Sequence, residues 1–188
     1  MKTSIILAAG LSSRMGCWKM LLPWGDGSVL DSAIHNSLAF CDNVVLVTGH
    51  RASDQNRRYA DRADVALCFN PAYLKGMFSS VQRGVSALSG SHFFVVPGDM
   101  PAINPDVYAS LWAHAGPLCL RPVCDGGKGH PVLLPPALIP DILGSAQDGN
   151  LRHLMQRHGC ENIPVTCKGI FWDLDTPMQY QALLNSTR

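Results

Sequence analysis

Residues 5–19 read Ile-Ile-Leu-Ala-Ala-Gly-Leu-Ser-Ser-Arg-Met-Gly-Cys-Trp-Lys, an apolar run that opens into a loop of small residues. The apolar run predicts a buried β-strand. Small side chains let a ligand approach the loop backbone, whose free N–H groups can point at phosphate oxygens. Arg14 and Lys19 add positive charge where a triphosphate would lie. A plain glycine turn with both cations on the surface is the alternative, since the loop has neither a Walker sequence nor a G-x-G-x-x-G fingerprint.

The composition is typical of one compact domain. The chain has 188 residues, of which 47% are apolar and 15% charged. Its net charge of +1 provides no basic field of the kind that binds nucleic acid. The apolar stretches are too short to span a membrane. We therefore expect neither nucleic acid nor a membrane as a partner.

The seven cysteines are scattered, and none forms a C-x-x-C pair. Their odd number and the lack of a signal-peptide pattern favour reduced thiols, which predicts a cytoplasmic location. The spacing does not match that of a zinc site or a redox pair.

Apolar runs alternate with amphipathic segments through most of the chain. The predicted strands are Thr3–Ala8, Asn43–Thr48, Val65–Phe69, His92–Val96 and Leu118–Arg121. The predicted helices between them are Val29–Phe40, Asp54–Ala60, Met77–Leu88 and Asp106–His114. Alternation of this kind predicts a doubly wound α/β sheet with right-handed crossovers.

The pattern changes after Arg121. Residues 122–135 are rich in Gly and Pro and predict a hairpin or a substrate loop. The segments that follow predict helices at Ala137–Leu143 and Leu151–His158, a late strand at Ile170–Leu174 and a final helix to about Asn185. With no repeat and no linker, residues 1–188 are expected to form a single domain.

Carboxylates occupy two positions suited to a metal ion. Asp99 follows the apolar run that ends at Val96, and ligands of open α/β sheets bind beyond the carboxyl ends of strands. A hard oxygen ligand there suits Mg²⁺ on a polyphosphate, although an Asx-turn would explain the residue as well. Asp173 and Asp175 stand two apart and would share a face of the late strand. Asp175 could bind a metal or cap the final helix.

Two further motifs carry polar groups in glycine-rich surroundings. Asn70 precedes Gly76, Ser79 and Ser80, and hydroxyls at a helix start suit a base edge or a phosphate as well as plain capping. His130 follows Gly129 in a loop where backbone and ligand can come close. It could bind substrate or be an ordinary loop histidine.

The motifs that carry a family resemblance span nearly the whole chain and occur in a fixed order. They are Leu7–Gly16, Lys19, Leu21–Pro23, Asn70, Gly76, Ser79–Val81, Gly98–Pro101, Gly129–Pro131 and Asp173–Pro177. In this order they closely resemble the molybdenum cofactor nucleotidyltransferases. The resemblance implies a three-layer α/β/α Rossmann-like nucleotidyltransferase fold with a mostly parallel mixed sheet. Residues 1–121 would bind the nucleotide, and residues 122–188 would bind the acceptor and supply the closing strand and helix.

The resemblance also implies roles for individual residues. Arg14, Lys19 and Asp99 would be catalytic, the two cations on the phosphates and Asp99 with Asp175 as ligands of Mg²⁺. The implied nucleotide-binding residues are Leu7, Ala8, Ala9, Gly10, Ser12, Ser13, Arg14, Lys19, Asn70, Ser79, Ser80 and Gly98. His130, Asp148 and Arg152 would lie on the acceptor side. Relatives often carry Gly-Asp-x-Gly-Ala-Arg there, which Ser145–Arg152 matches only in part.

The loop sequence bears on the choice of nucleotide. In the family, Leu-Ala-Ala-Gly is associated with CTP, and the guanylyl-transferring relatives carry Gly in place of Ala9. The resemblance therefore implies transfer of CMP from CTP to molybdopterin or its molybdenum form, with release of pyrophosphate and a molybdenum hydroxylase as client. Transfer to a sugar or alcohol phosphate is one alternative. Non-catalytic carriage of the cofactor as a maturation chaperone is another.

Overall fold

The computed structural model describes residues 1–186, without the side chains of Arg14, Asn185 and Ser186. The strands are β1 Thr3–Leu7, β2 Pro23–Trp24, β3 Gly27–Ser28, β4 Asn43–Thr48, β5 Val65–Phe69, β6 Phe93–Pro97, β7 Cys119–Cys124, β8 Gly127–Lys128, β9 Val132–Leu134 and β10 Cys160–Pro164. The helices are α1 Val29–Leu38, α2 Ala52–Tyr59, α3 Met77–Val85, α4 Pro105–Ala113, α5 Ile139–Gly144, α6 Leu151–His158 and α7 Pro177–Ser186.

Eight strands form one mixed sheet, in the order β10-β7-β9-β6-β1-β4-β5, with β8 paired to β7. Strands β6, β1, β4 and β5 are parallel neighbours. β9 is antiparallel to both β6 and β7, and β10 pairs with β7 in parallel. The central strands are the near-continuous apolar runs that parallel strands need when helices cover both faces.

Helices cover both faces of the sheet. Successive side chains of a strand point to opposite faces, so Ile6 joins the core formed with α1, α2 and α4. Ile5 joins the core formed with α3, α5 and α6. The three-layer α/β/α arrangement with a mostly parallel mixed sheet is therefore confirmed. How residues 1–121 and 122–188 divide the binding tasks stays a prediction.

The region after β7 is a hairpin followed by a short antiparallel strand. Asp125 and Gly126 both have positive φ, as a two-residue turn between twisted strands requires, and they connect β7 to β8. The sequence predicted a hairpin or a loop here. The sequence did not predict β9, a three-residue strand that lies between β6 and β7 and pairs with both.

The prediction of a late strand at Ile170–Leu174 is wrong. Residues Lys168–Phe171 form a 3-10 turn. The backbone of residues 170–174 forms hydrogen bonds with other loops and does not pair with any of the described strands. His130 N–H donates to the carbonyl of Ile170, and Leu174 N–H donates to the carbonyl of Asp99. The strand that closes the sheet is β10, which was missed because its exposed polar residues and Pro164 give no apolar pattern.

The final helix closes one side of the molecule. Leu183 of α7 and Leu174 form a small core with Trp24 and Val29. The hydroxyl of Tyr180 donates to the carbonyl of Pro23 at 2.5 Å. Within residues 1–186, no helix is long and apolar enough to cross a membrane. All seven cysteines are free thiols.

Candidate active site

A cavity of about 670 Å³, called the first cavity below, opens beyond the carboxyl ends of β1 and β6. Open α/β sheets bind their ligands at this edge. The first loop begins at this edge. Two hydrogen bonds fix its start, because Ala8 N–H donates to the carbonyl of Val47 and the side-chain amide of Gln55 donates to the carbonyl of Ala8 at 2.8 Å. Ser12 then adopts a left-handed conformation, with φ 55°, at the start of a 3-10 turn. Gly10 and Ser13 of the loop line this cavity.

Most of the predicted site residues line the first cavity. They are Leu7, Ala9, Gly10, Ser12, Ser13, Lys19, Ser80, Asp99, His130 and Asp175. Ala8, Asn70, Ser79 and Gly98 do not appear in its lining. The side chain of Arg14 lies outside the described part of the structure, and its backbone is in the 3-10 turn of the loop. Their roles stay predictions.

Lys19 joins carboxylates from two distant parts of the chain. Its ammonium forms an ion pair with Asp99 Oδ2 and another, at 2.9 Å, with Asp175 Oδ1. Burial lowers the pKa of Lys19, but the two carboxylates outweigh it and raise the pKa above its ordinary value. Lys19 therefore remains a cation. Asp99 and Asp175 both contact the Lys19 ammonium.

Backbone contacts explain why the carboxylates meet. Gly98 N–H donates to the carbonyl of Leu7 at 2.9 Å, which fixes the turn that presents Asp99. The carbonyl of Asp99 accepts from Leu174 N–H at 3.3 Å, and this bond brings Asp173 and Asp175 to the same edge. Thr176 Oγ1 accepts from Gln179 N–H at 3.2 Å and so caps α7. The side chain of Asp175 contacts Lys19.

The carboxyl groups leave room for a cation. Asp99 Oδ1 is buried and has no hydrogen-bond partner among the described residues. Asp173 lines the same cavity, and burial, reinforced by Asp175 and Asp99, raises its pKa. Within the described part of the chain, no group of three or more His, Cys, Asp or Glu side chains could by itself hold a metal ion. A metal here would need oxygens from a ligand, as Mg²⁺ on a polyphosphate does.

Asn70 and Ser79 build the loop on the opposite wall. The Asn70 amide donates to Ser79 Oγ and Ser80 Oγ, each at 3.0 Å, and Asn70 Oδ1 accepts from Ala72 N–H. Ser79 Oγ lies 2.8 Å from the carbonyl oxygen of Gly76. These contacts shape the segment that ends at α3. Of the three predicted polar residues, only Ser80 reaches the first cavity.

His130 is fixed by the close approach of two loops. A Cβ on Gly129 would overlap the carbonyl of Ile170, so only glycine allows this contact. Burial lowers the pKa of His130, which favours the neutral ring. Its Nδ1 is buried without a hydrogen-bond partner among the described residues.

A second cavity of about 640 Å³ adjoins the first. The two share Leu7, Met77, Lys128, Gly129 and His130 in their walls. Arg152 and Arg121 also line the second cavity, whereas Asp148 is exposed and lines neither. Sequence reasoning missed Arg121 and Lys128. The signal for Arg121 was a cation inside an otherwise apolar strand, Cys119–Cys124.

Fold and site together define a nucleotide-dependent α/β enzyme, because a cationic loop and two carboxylates meet at the ligand-binding edge of the sheet. Comparison with known proteins gives the family. Residues 4–163 match the model of the MobA-like NTP transferase domain, and the chain belongs to this family of nucleotidyltransferases.

Three relatives illustrate the likeness. The molybdenum cofactor cytidylyltransferase of Escherichia coli K12 is 36% identical over 92% of this chain and 90% of that protein. The molybdenum cofactor guanylyltransferase of Xanthomonas euvesicatoria is 29% identical over 97% of this chain and 94% of that protein. The crystal structure of Rv0371C from Mycobacterium tuberculosis, a complex with manganese, superposes with a TM-score of 0.79 and 21% identity over 98% of this chain and 97% of that one. The last comparison shows the fold alone.

Proposed function

We propose that the enzyme transfers CMP from CTP to molybdopterin or its molybdenum form and releases pyrophosphate. The observation that carries the proposal is the position of Lys19, held between Asp99 and Asp175 at the end of the first loop. This arrangement offers one cation to a phosphate and two carboxylates to a divalent metal. The likeness to the cytidylyltransferase of Escherichia coli over most of both chains supports the choice of acceptor and nucleotide.

The residues present fit a divalent cation. Asp99 Oδ1 is a buried acceptor without a hydrogen-bond partner among the described residues, and Asp175 stands on the other side of Lys19. Asp99 and Asp175 would hold Mg²⁺ together with phosphate oxygens. When bound, the ion would neutralise negative charge on the phosphates and make the α-phosphorus more electrophilic. The manganese in the Mycobacterium tuberculosis structure is consistent with a site for hard divalent ions.

The chemical step needs little from the protein beyond position and charge. An oxygen of the acceptor phosphate attacks the α-phosphorus of CTP and forms a new P–O bond. The bond between the α-phosphorus and its bridging oxygen breaks, and the electron pair leaves with pyrophosphate. The attacking phosphate is already an anion, so no strong general base is required. Lys19 and Arg14 would hold the β and γ phosphates and offset the charge of the leaving group.

The choice of base rests on the wall around Ala9. Ala9 and Tyr73 both line the first cavity. The Ala9 methyl group is held there by Gly49, whose added Cβ would lie 2.7 Å from it and 2.8 Å from Cβ of Tyr73. A glycine in place of Ala9 would open space for a larger base. The alanine side chain therefore supports cytosine over guanine.

The acceptor would enter from the side of His130. A neutral imidazole can donate or accept one hydrogen bond without adding charge to a site that already holds a metal and three phosphates. His130 lies at the junction of the two cavities, and Arg152 lines the farther one. The cytoplasmic location and the molybdenum hydroxylase client stay predictions.

Pyrophosphate release with a matched set of substrates tests the proposal. The purified protein is incubated with Mg²⁺, molybdopterin and either CTP or GTP, and in parallel with a sugar phosphate or an alcohol phosphate as acceptor. We expect release with CTP and molybdopterin and little with the other pairs. Pyrophosphate release with another phosphorylated acceptor, and not with molybdopterin, would show that the proposed acceptor is wrong. Tight binding of molybdopterin with no release under any nucleotide would make the protein a carrier.

A further inference from the structure

The second cavity combines an apolar floor with a cationic rim. Its floor includes the buried side chains of Phe78, Val81 and Met155. Its rim carries the basic residues Arg121, Lys128 and Arg152, and no Asp or Glu occurs among the described residues that line it. A flat or apolar body with a negative charge at its edge complements such a wall.

Most basic residues elsewhere in the described chain form an ion pair, although Lys2, Lys75 and Arg83 do not. Arg51, Arg57, Arg58, Arg62, Arg157 and Lys168 each form an ion pair with an aspartate. Across residues 1–186, by contrast, no carboxylate lies within ion-pair distance of Arg121, Lys128 or Arg152. These three charges therefore contribute no ion pair to the fold of the described chain.

Local structure places two of the rim cations, Arg121 and Arg152, without pairing either with a carboxylate of the described chain. Arg121 Nε donates to Asn162 Oδ1 at 2.8 Å, so a side chain on β10 orients the guanidinium. Arg152 stands in the first turn of α6, after the cap residue Asn150. A cation there opposes the helix dipole. Its position is better explained by a ligand than by the stability of the helix.

The second cavity continues into the site of the reaction. His130 lines both cavities, and its Nδ1 is a buried polar atom with no hydrogen-bond partner among the described residues. Lys128 lines both as well. A ligand that extends from the α-phosphorus past His130 would thus reach Arg121 and Arg152.

We propose that the second cavity holds the body of the acceptor and that Arg121, Lys128 and Arg152 bind a second anionic group on it, distinct from the phosphate that reacts. The inference rests on the proposed function, since it concerns the same acceptor. Asn162 is a positioning residue that acts through Arg121. The substrate class is therefore a compound with an apolar body that carries an anionic group besides the reacting phosphate.

The test compares binding and turnover in matched variants. Arg121→Gln and Arg152→Gln remove rim cations, and Arg157→Gln removes a cation of the same helix that lines neither cavity. In Asn162→Asp, the new carboxylate would form an ion pair with Arg121 and neutralise its charge. This variant should therefore have the same effect as removing Arg121. The dissociation constant for molybdopterin is measured by calorimetry without nucleotide, and the KM values for acceptor and CTP are measured by pyrophosphate release.

We expect each rim variant and Asn162→Asp to weaken molybdopterin binding about 10-fold or more, as loss of a hydrogen bond to a charged group does. The KM for CTP should stay within about twofold, and Arg157→Gln should behave as the wild type. Equal dissociation constants for wild type and rim variants, or no binding by the wild type, would overturn the inference. Binding that depends on Arg121 without pyrophosphate release would instead uphold the second subsite and remove the proposed reaction.

Discussion

Replacing Asp99 with asparagine should separate catalysis from folding. Asp99 is only 8% exposed, and it shares the ammonium of Lys19 with Asp175. In Asp99→Asn, Lys19 keeps its 2.9 Å ion pair with Asp175, and the oxygen of the new amide can still accept a hydrogen bond from the ammonium. We therefore expect the free energy of unfolding to change by no more than about 1–2 kcal/mol.

The rate should change far more. If Asp99 holds the metal, its loss should lower kcat/KM for pyrophosphate release by about 10²–10⁴, which corresponds to about 2.7–5.4 kcal/mol of transition-state stabilisation. The control is Asp106→Asn, since Asp106 is an exposed residue at the start of α4 and lines neither cavity. Urea unfolding of the same samples checks stability. Asp99→Asn protein with kcat/KM within about threefold of the wild type would refute the metal assignment.

Three further perturbations follow from the same contacts. Lys19→Met removes the ammonium that occupies the two carboxylates, so Mn²⁺ should bind the nucleotide-free protein more tightly and CTP more weakly; unchanged Mn²⁺ affinity in electron paramagnetic resonance titrations would contradict this. Gly129→Ala should lower stability by about 2–4 kcal/mol because the added Cβ meets the backbone of Ile170, whereas Gly144→Ala, with no described atom within 4 Å of its Cβ, should be neutral in thermal melts. Burial depresses the pKa of His130 in the folded protein, so below about pH 6.5 the unfolded chain binds a proton at this residue more readily than the folded protein does. The free energy of unfolding should therefore fall as the pH drops below about 6.5. His130→Gln should show a shallower loss between about pH 6.5 and 5 in urea unfolding, and an unchanged slope would count against a buried neutral imidazole.

The strands near the centre of the sheet were predictable because their signal is local. A strand covered by helices on both faces is a short apolar run, and β1, β4 and β6 all show this pattern. The same signal misled at Ile170 and Leu174, which are fully buried and yet belong to a turn and the segment after it. An apolar pattern indicates that a segment is buried, but it does not show whether its backbone forms hydrogen bonds with a strand or with a loop.

The site was predictable in its chemistry and less so in its geometry. The rule that ligands lie beyond strand ends identified Asp99 at the edge of β6. The ion pair of Lys19 with Asp175 spans 156 residues of sequence, and no local pattern encodes it. Arg121 and Asn162 lie on neighbouring strands whose pairing appears only in the folded sheet. Contacts between distant segments therefore had to come from the structure.

The path of the phosphorus atoms tests the central claim most directly. The protein is incubated with Mg²⁺, molybdopterin and CTP labelled at either the α or the γ phosphorus, and the products are separated. Attack at the α-phosphorus predicts that the α label appears in the acceptor product and the γ label in pyrophosphate, in equal amounts. A γ label in the acceptor product, or no transfer of the α label while GTP is used efficiently, would contradict the assignment of this cleft to CMP transfer.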